Sequence, residues 1–171
     1  MEIISTQECR EWVSSNLGAG FTLEAIRSEF PRWFNYRLPA ATSRKTAIAR
    51  ALSSDDYVID TRRPGLFWIT EWGVSYEIPA IFYGYRKSLG EDRQLIDAPG
   101  HVFHRADLQQ LECLLGLSLY FYWDAILFDG SGTVAFGCDH HEWLSVYAKT
   151  EDRLRSVMGM LEPYELEEVR N

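Results

Sequence analysis

The chain is short of the features that most often betray a function. Its 171 residues include three cysteines, Cys9, Cys113 and Cys138. Their odd number and wide spacing suit reduced thiols in a cytoplasmic protein rather than a disulfide framework. No stretch approaches 18 uninterrupted apolar residues, so no membrane span is expected. The opening Met1-Glu2-Ile3-Ile4-Ser5 lacks the basic and apolar regions of a secretory signal. Basic charge is scarce too: 17 Lys and Arg face 25 Asp and Glu, a net charge of −8. That balance argues against a bare phosphate backbone as ligand and favours a basic partner. The catalytic signatures HExxH, CxxC, GxSxG and GxGxxG are all missing. Pro39-Ala40-Ala41-Thr42-Ser43-Arg44-Lys45-Thr46 ends like a phosphate loop. Pro39 and Arg44, however, stand where two glycines must let the backbone wrap phosphate.

What is present is core material. A hydrophobic share of 46% with 14% aromatic residues excludes intrinsic disorder, and the length suits one domain over 1–171. The charge is unevenly spread: residues 1–99 carry 12 basic and 13 acidic groups, residues 100–171 carry 5 and 12.

Residues 1–56 read as helical. Ser5-Thr6-Gln7-Glu8 is a capping box, and the helix it opens is stopped by Gly18 and Gly20. A short helix is expected from Thr22 and a third over Ser43–Leu52, ended by Ser53-Ser54-Asp55-Asp56. Beyond residue 57 the period changes. Leu66–Trp72 and Pro79–Tyr85 are rich in aromatic and β-branched residues and read as strands. Ser88–His104 reads as a long loop, and a helix starts near Arg105. Asp124–Phe128 and Thr133–Cys138 flank Asp129-Gly130-Ser131-Gly132, a hairpin signal, with Glu142–Ala148 as the next strand. Thr150 caps a helix in which Leu154, Val157, Met158 and Leu161 follow i, i+3, i+4, i+7. Glu162 to Glu168 forms an acidic tail. These elements predict an α+β fold: a mainly antiparallel sheet of about five strands, a helical N-terminal third and a C-terminal amphipathic helix.

Three chemistries can be weighed from the residues. The four histidines fall in two segments, His101 with His104 and His140 with His141. If the segments met, His101, His104 and His140 with Cys138 could form a zinc-type donor set, although adjacent histidines on a strand would diverge. The spacing matches no metal signature, so no cofactor is expected and the histidines are taken as dispensable for folding. Between Arg27 and Arg50, Phe30, Trp33, Phe34 and Tyr36 alternate with cations, as single-stranded nucleic acid would require. The net charge opposes that reading, and core packing of the rings accounts for them. The third chemistry is protein binding. The surplus of Trp and Tyr suits interface anchors, and Trp143 stands beside Glu142 and ahead of the tail carboxylates Glu162, Glu165, Glu167 and Glu168.

Trp123–Phe128 through Asp139-His140-His141-Glu142-Trp143, followed by the helix at Thr150, resembles the C-terminal module of a group of bacterial proteins, some of them immunity proteins of toxin–immunity systems. The resemblance spans about residues 117–161. It implies a cytoplasmic, non-enzymatic protein that binds and blocks a toxin, with a basic toxin domain as partner. A metal-dependent enzyme built on the histidine segments and a nucleic-acid-binding regulator are the alternatives, in that order.

Overall fold

The computed structural model describes residues 1–18, 21–54, 62–72 and 78–169. Gly20, Asp55 and Asp56 lie outside the described residues, as does the 73–77 connection. The elements run β1 (Glu2–Ile4), α1 (Thr6–Leu17), a 3-10 turn at Leu23–Ala25 leading into the short α2 (Ile26–Glu29), β2 (Arg32–Arg37), α3 (Thr42–Leu52), β3 (Gly65–Glu71), α4 (Ile78–Ser88), β4 (Gly100–Phe103), α5 (Leu108–Phe121), β5 (Asp124–Phe128), β6 (Val134–Cys138), β7 (Trp143–Ala148), α6 (Glu151–Leu161) and β8 (Glu167–Val169). All eight strands form one sheet in the order β1-β4-β3-β5-β6-β7-β2-β8, and every neighbouring pair is antiparallel.

The α+β class and the antiparallel sheet agree with expectation, but the sheet has eight strands, not about five. The N-terminal third contains β1 and β2 as well as helices. Pro79–Tyr85, read as a strand, lies in α4, and the supposed loop at Ser88–His104 contains β4. The acidic tail ends as strand β8 on the free side of β2, with Glu168 opposite Tyr36.

The strands explain the layering. In β3, Leu66 and Trp68 join one buried cluster while Phe67 and Ile69 join another. In β5, Ile126 and Phe128 join the first, Ala125 and Leu127 the second. Alternate side chains point to opposite faces of a strand, so the centre of the sheet is apolar on both sides and must be sandwiched. On one side α1 and the α2 region supply Cys9, Val13, Leu17, Ile26 and Phe30. On the other, α3, α5 and α6 supply Ile48, Leu52, Leu111, Leu115, Val157 and Leu161. A Cβ on Gly100 would fall 2.2 Å from Cys9 Sγ and 2.7 Å from Ile4 Cγ1, so α1 approaches β4 closely only because that position is glycine.

Local chemistry fixes the ends. Ser5 caps α1, accepting from Glu8 N while the Glu8 carboxylate accepts from Ser5 N at 2.7 Å. Thr150 Oγ1 accepts from Arg153 N at the start of α6. In the β5–β6 turn Asp129 is fully buried; its carboxylate accepts from the backbone N–H groups of Thr133 (2.8 Å) and Val134 (3.1 Å) and from the Ser131 hydroxyl.

Candidate functional site

One half of the sheet breaks the sandwich pattern. Along β7, Leu144, Val146 and Ala148 are buried while Trp143, Ser145 and Tyr147 keep partial exposure. Register places Trp33 opposite Tyr147, Asn35 opposite Ser145 and Arg37 opposite Trp143. On β8, Glu167 lies opposite Arg37 and Val169 opposite Asn35. Their alternates Phe34, Tyr36, Leu144 and Val146 lie in or against the α3–α5–α6 core, so this set points to the α1 side. That helix packs on β3 and β4. The result is a face of β7, β2 and β8 on which Trp33, Trp143 and Tyr147 are half-exposed. The Arg27 guanidinium lies 4.0 Å from the centre of the Trp33 ring, a cation–π contact. Asn35, on the same face, is only 1% exposed, and among the described residues neither its amide nitrogen nor its amide oxygen has a hydrogen-bond partner.

The carboxylates singled out in the sequence gather around this edge of the sheet. Glu142, Glu165 and Glu167 line a groove of about 300 Å³ together with Arg37 and Arg44. Glu162, Glu165 and Glu168 line a second of about 280 Å³ with Tyr36 and Met158. Two of the five are matched within the chain: Glu142 lies 3.9 Å from Arg37 and Glu165 3.0 Å from Arg44. Glu162, Glu167 and Glu168 pair with no cation among the described residues, and all three are exposed. The nearby Glu168 charge, after burial, helps push the Tyr36 hydroxyl up to about 12.

The histidines are arranged otherwise than the zinc-type set requires. His101 sits on β4, wholly buried, its ring centroid 5.9 Å from that of Phe67 and 5.8 Å from that of Phe82. The Phe67 and Pro99 carbonyls flank it, but neither ring nitrogen makes a well-directed hydrogen bond. Burial, reinforced by the nearby Arg86 guanidinium, pushes its pKa down to about 3. A ring so deeply packed is not dispensable for folding, which corrects the expectation. His104 caps the turn before α5, taking part in a capping box with Asp107. Cys138 lies against the Trp123 and Ala125 carbonyls, and burial raises its thiol to about 12, an inert state. His140 and His141 are in a turn, not a strand, and their rings lie side by side with centroids 4.1 Å apart.

His140 instead meets two residues the sequence did not single out. Its backbone N–H donates to Asp124 Oδ1 at 2.8 Å, and its Nδ1 lies 2.9 Å from the same oxygen. That contact raises the His140 pKa. Glu71 stands opposite Asp124 in the β3–β5 register, across an irregularity at Thr70. One donor atom each from Glu71, Asp124 and His140 lie within 4.8 Å of one another. Glu71 also lines a cleft of about 790 Å³ between α1, the Phe21–Leu23 segment and β3, walled by Arg10, Trp68 and Trp72.

Of the rings in the arginine-rich stretch, Phe30 and Tyr36 are core residues and Phe34 packs against the core, which leaves Trp33, half-exposed beneath Arg27, in place of a series of stacking rings. Of the aromatic run, Trp123 is fully buried and Tyr120 is exposed. Among the described residues no helix is long and apolar enough to cross a membrane. No protein-family model matches the chain, and neither a curated protein nor a solved structure matches it.

Proposed function

We propose that the protein is a non-enzymatic binding module, an immunity-type inhibitor that meets a bacterial toxin or effector in the cytoplasm and blocks it. One observation carries the reading: three large aromatics, Trp33, Trp143 and Tyr147, stay half-exposed on the β7–β2–β8 face beside Glu142 and Glu167, with Glu162, Glu165 and Glu168 gathered at the same edge of the sheet on the α6 side. Interfaces concentrate their energy in a few Trp, Tyr and Arg anchors surrounded by polar residues, and this face has that composition. The partner is a basic toxin domain. Glu162, Glu167 and Glu168, which pair with no cation among the described residues, would steer it, raising the association rate in a way that salt suppresses.

The test is co-expression with the product of the neighbouring gene as candidate toxin, followed by stopped-flow association of the purified pair. Rescue of growth is expected. The triple change Glu165→Gln, Glu167→Gln, Glu168→Gln should slow association at low salt without altering the melting temperature. Trp143→Ala should weaken binding by more than about 1 kcal/mol, the usual threshold for an anchor. Absence of rescue refutes the inhibitor reading. Association as fast in the triple variant as in the parent refutes the acidic rim as its steering element.

A further inference from the structure

We infer that Glu71, Asp124 and His140 form a binding site for a divalent transition-metal ion of the zinc type at the mouth of the α1–β3 cleft. The inference is independent of the protein-binding reading. Three observations lead to it. The donors are one imidazole and two carboxylates, each a ligand type that zinc accepts, and the imidazole separates the group from an ordinary acidic patch. The three donor atoms lie within 4.8 Å of one another, from which side-chain rotation can bring them to the roughly 3.3–3.6 Å separations that bond lengths of about 2.0–2.2 Å impose in a tetrahedron. The ligands are also held from separate elements. Asp124 opens β5 with Oδ1 fixed by the His140 N–H, and Glu71 closes β3 directly across the register.

The local structure favours a cation in other ways. Asp124 Oδ1 and His140 Nδ1 are 2.9 Å apart, so an ion entering there replaces a shared proton rather than opening a packed core. A second imidazole, His141, lies alongside with its ring centroid 4.1 Å from that of His140. Because Glu71 also lines the cleft, an ion held by it borders a space of about 790 Å³. The open coordination position can then meet a small ligand carrying an oxygen or nitrogen donor.

The experiment is titration of the untagged full chain with ZnCl2 by calorimetry and with CoCl2 by visible absorption, whose intensity reports four- or five-coordinate cobalt. A 1:1 complex is expected. Glu71→Gln, Asp124→Asn and His140→Ala should each weaken it by more than about tenfold, since even changes one shell further out cost that much. Glu71 and His140 are exposed, so their variants are expected to keep the parent's circular dichroism and melting temperature. Failure of the parent to form a 1:1 complex overturns the inference. So does binding that survives all three substitutions, which would place the ion on other groups. Neither result touches association with a toxin, which is read in a metal-free buffer.

Discussion

Acid should destabilise this protein through His101 before most of its carboxylates are protonated. The ring is wholly buried between Phe67 and Phe82. Arg86 from α4 presses a positive charge towards it, opposed by the Glu91 carboxylate. Its pKa of about 3 in the folded chain compares with about 6.5 for an unfolded one. A depressed base is neutral when folded, so the unfolded chain binds the proton first. Stability is therefore complete above about pH 6.5 and declines as pH falls towards 3. One unit of displacement is worth about 1.4 kcal/mol, so lowering the pH from 8 to 5 should remove about 2 kcal/mol. Urea unfolding of the parent and of His101→Phe at both pH values measures this. The variant keeps an aromatic ring against Phe67 and Phe82 but cannot titrate. The exposed His104, His140 and His141 are common to both proteins and cancel. The parent should lose about 2 kcal/mol more than the variant between pH 8 and 5. Parallel pH profiles would refute a buried, neutral His101.

Asp129→Ala should cost on the order of 3 kcal/mol in urea unfolding, because it orphans the Thr133 and Val134 N–H groups in a buried turn; a loss under about 1 kcal/mol would mean that water replaces the carboxylate. Leu161→Ala, at a buried position of α6, should cost about 2–5 kcal/mol, and a loss below about 0.5 kcal/mol would contradict the packing of that helix. Gly100→Val should be more damaging still, seen as loss of the cooperative thermal transition, since its first side-chain atom already collides with Cys9 and Ile4.

The parts legible in the sequence are those governed by short-range chemistry. The Ser5–Glu8 box, the Asp129–Gly132 turn and the Thr150 cap each state their structure within a few residues. The misread α4 shows the limit. Ile81-Phe82-Tyr83 has no distinguishing period, whereas Pro79 near the first turn and Arg86-Lys87 in the last were the helical signals available. Strands β1 and β8 have three residues each. Glu167 and Glu168 are poor strand formers, so β8 exists through its pairing with β2 rather than its own preference. Trp143 and the tail glutamates, the residues of the proposed interface, could be named from composition. Glu71 and Asp124 could not: 53 residues apart in sequence, they become neighbours only because β3 selects β5.

The position of β2 has a consequence for biosynthesis. Residues 32–37 leave the ribosome more than 100 residues ahead of both strands that flank them, at 143–148 and 167–169. Until those strands emerge, at about 5–20 residues per second, β2 therefore has two open edges and displays Trp33, Phe34 and Tyr36. Such a non-local closure slows folding and leaves a sticky strand waiting. The flanking Arg32 and Arg37, which enter ion pairs with Glu151 and Glu142 only in the finished sheet, are then free charges that keep the waiting strand from pairing with its copies on neighbouring nascent chains.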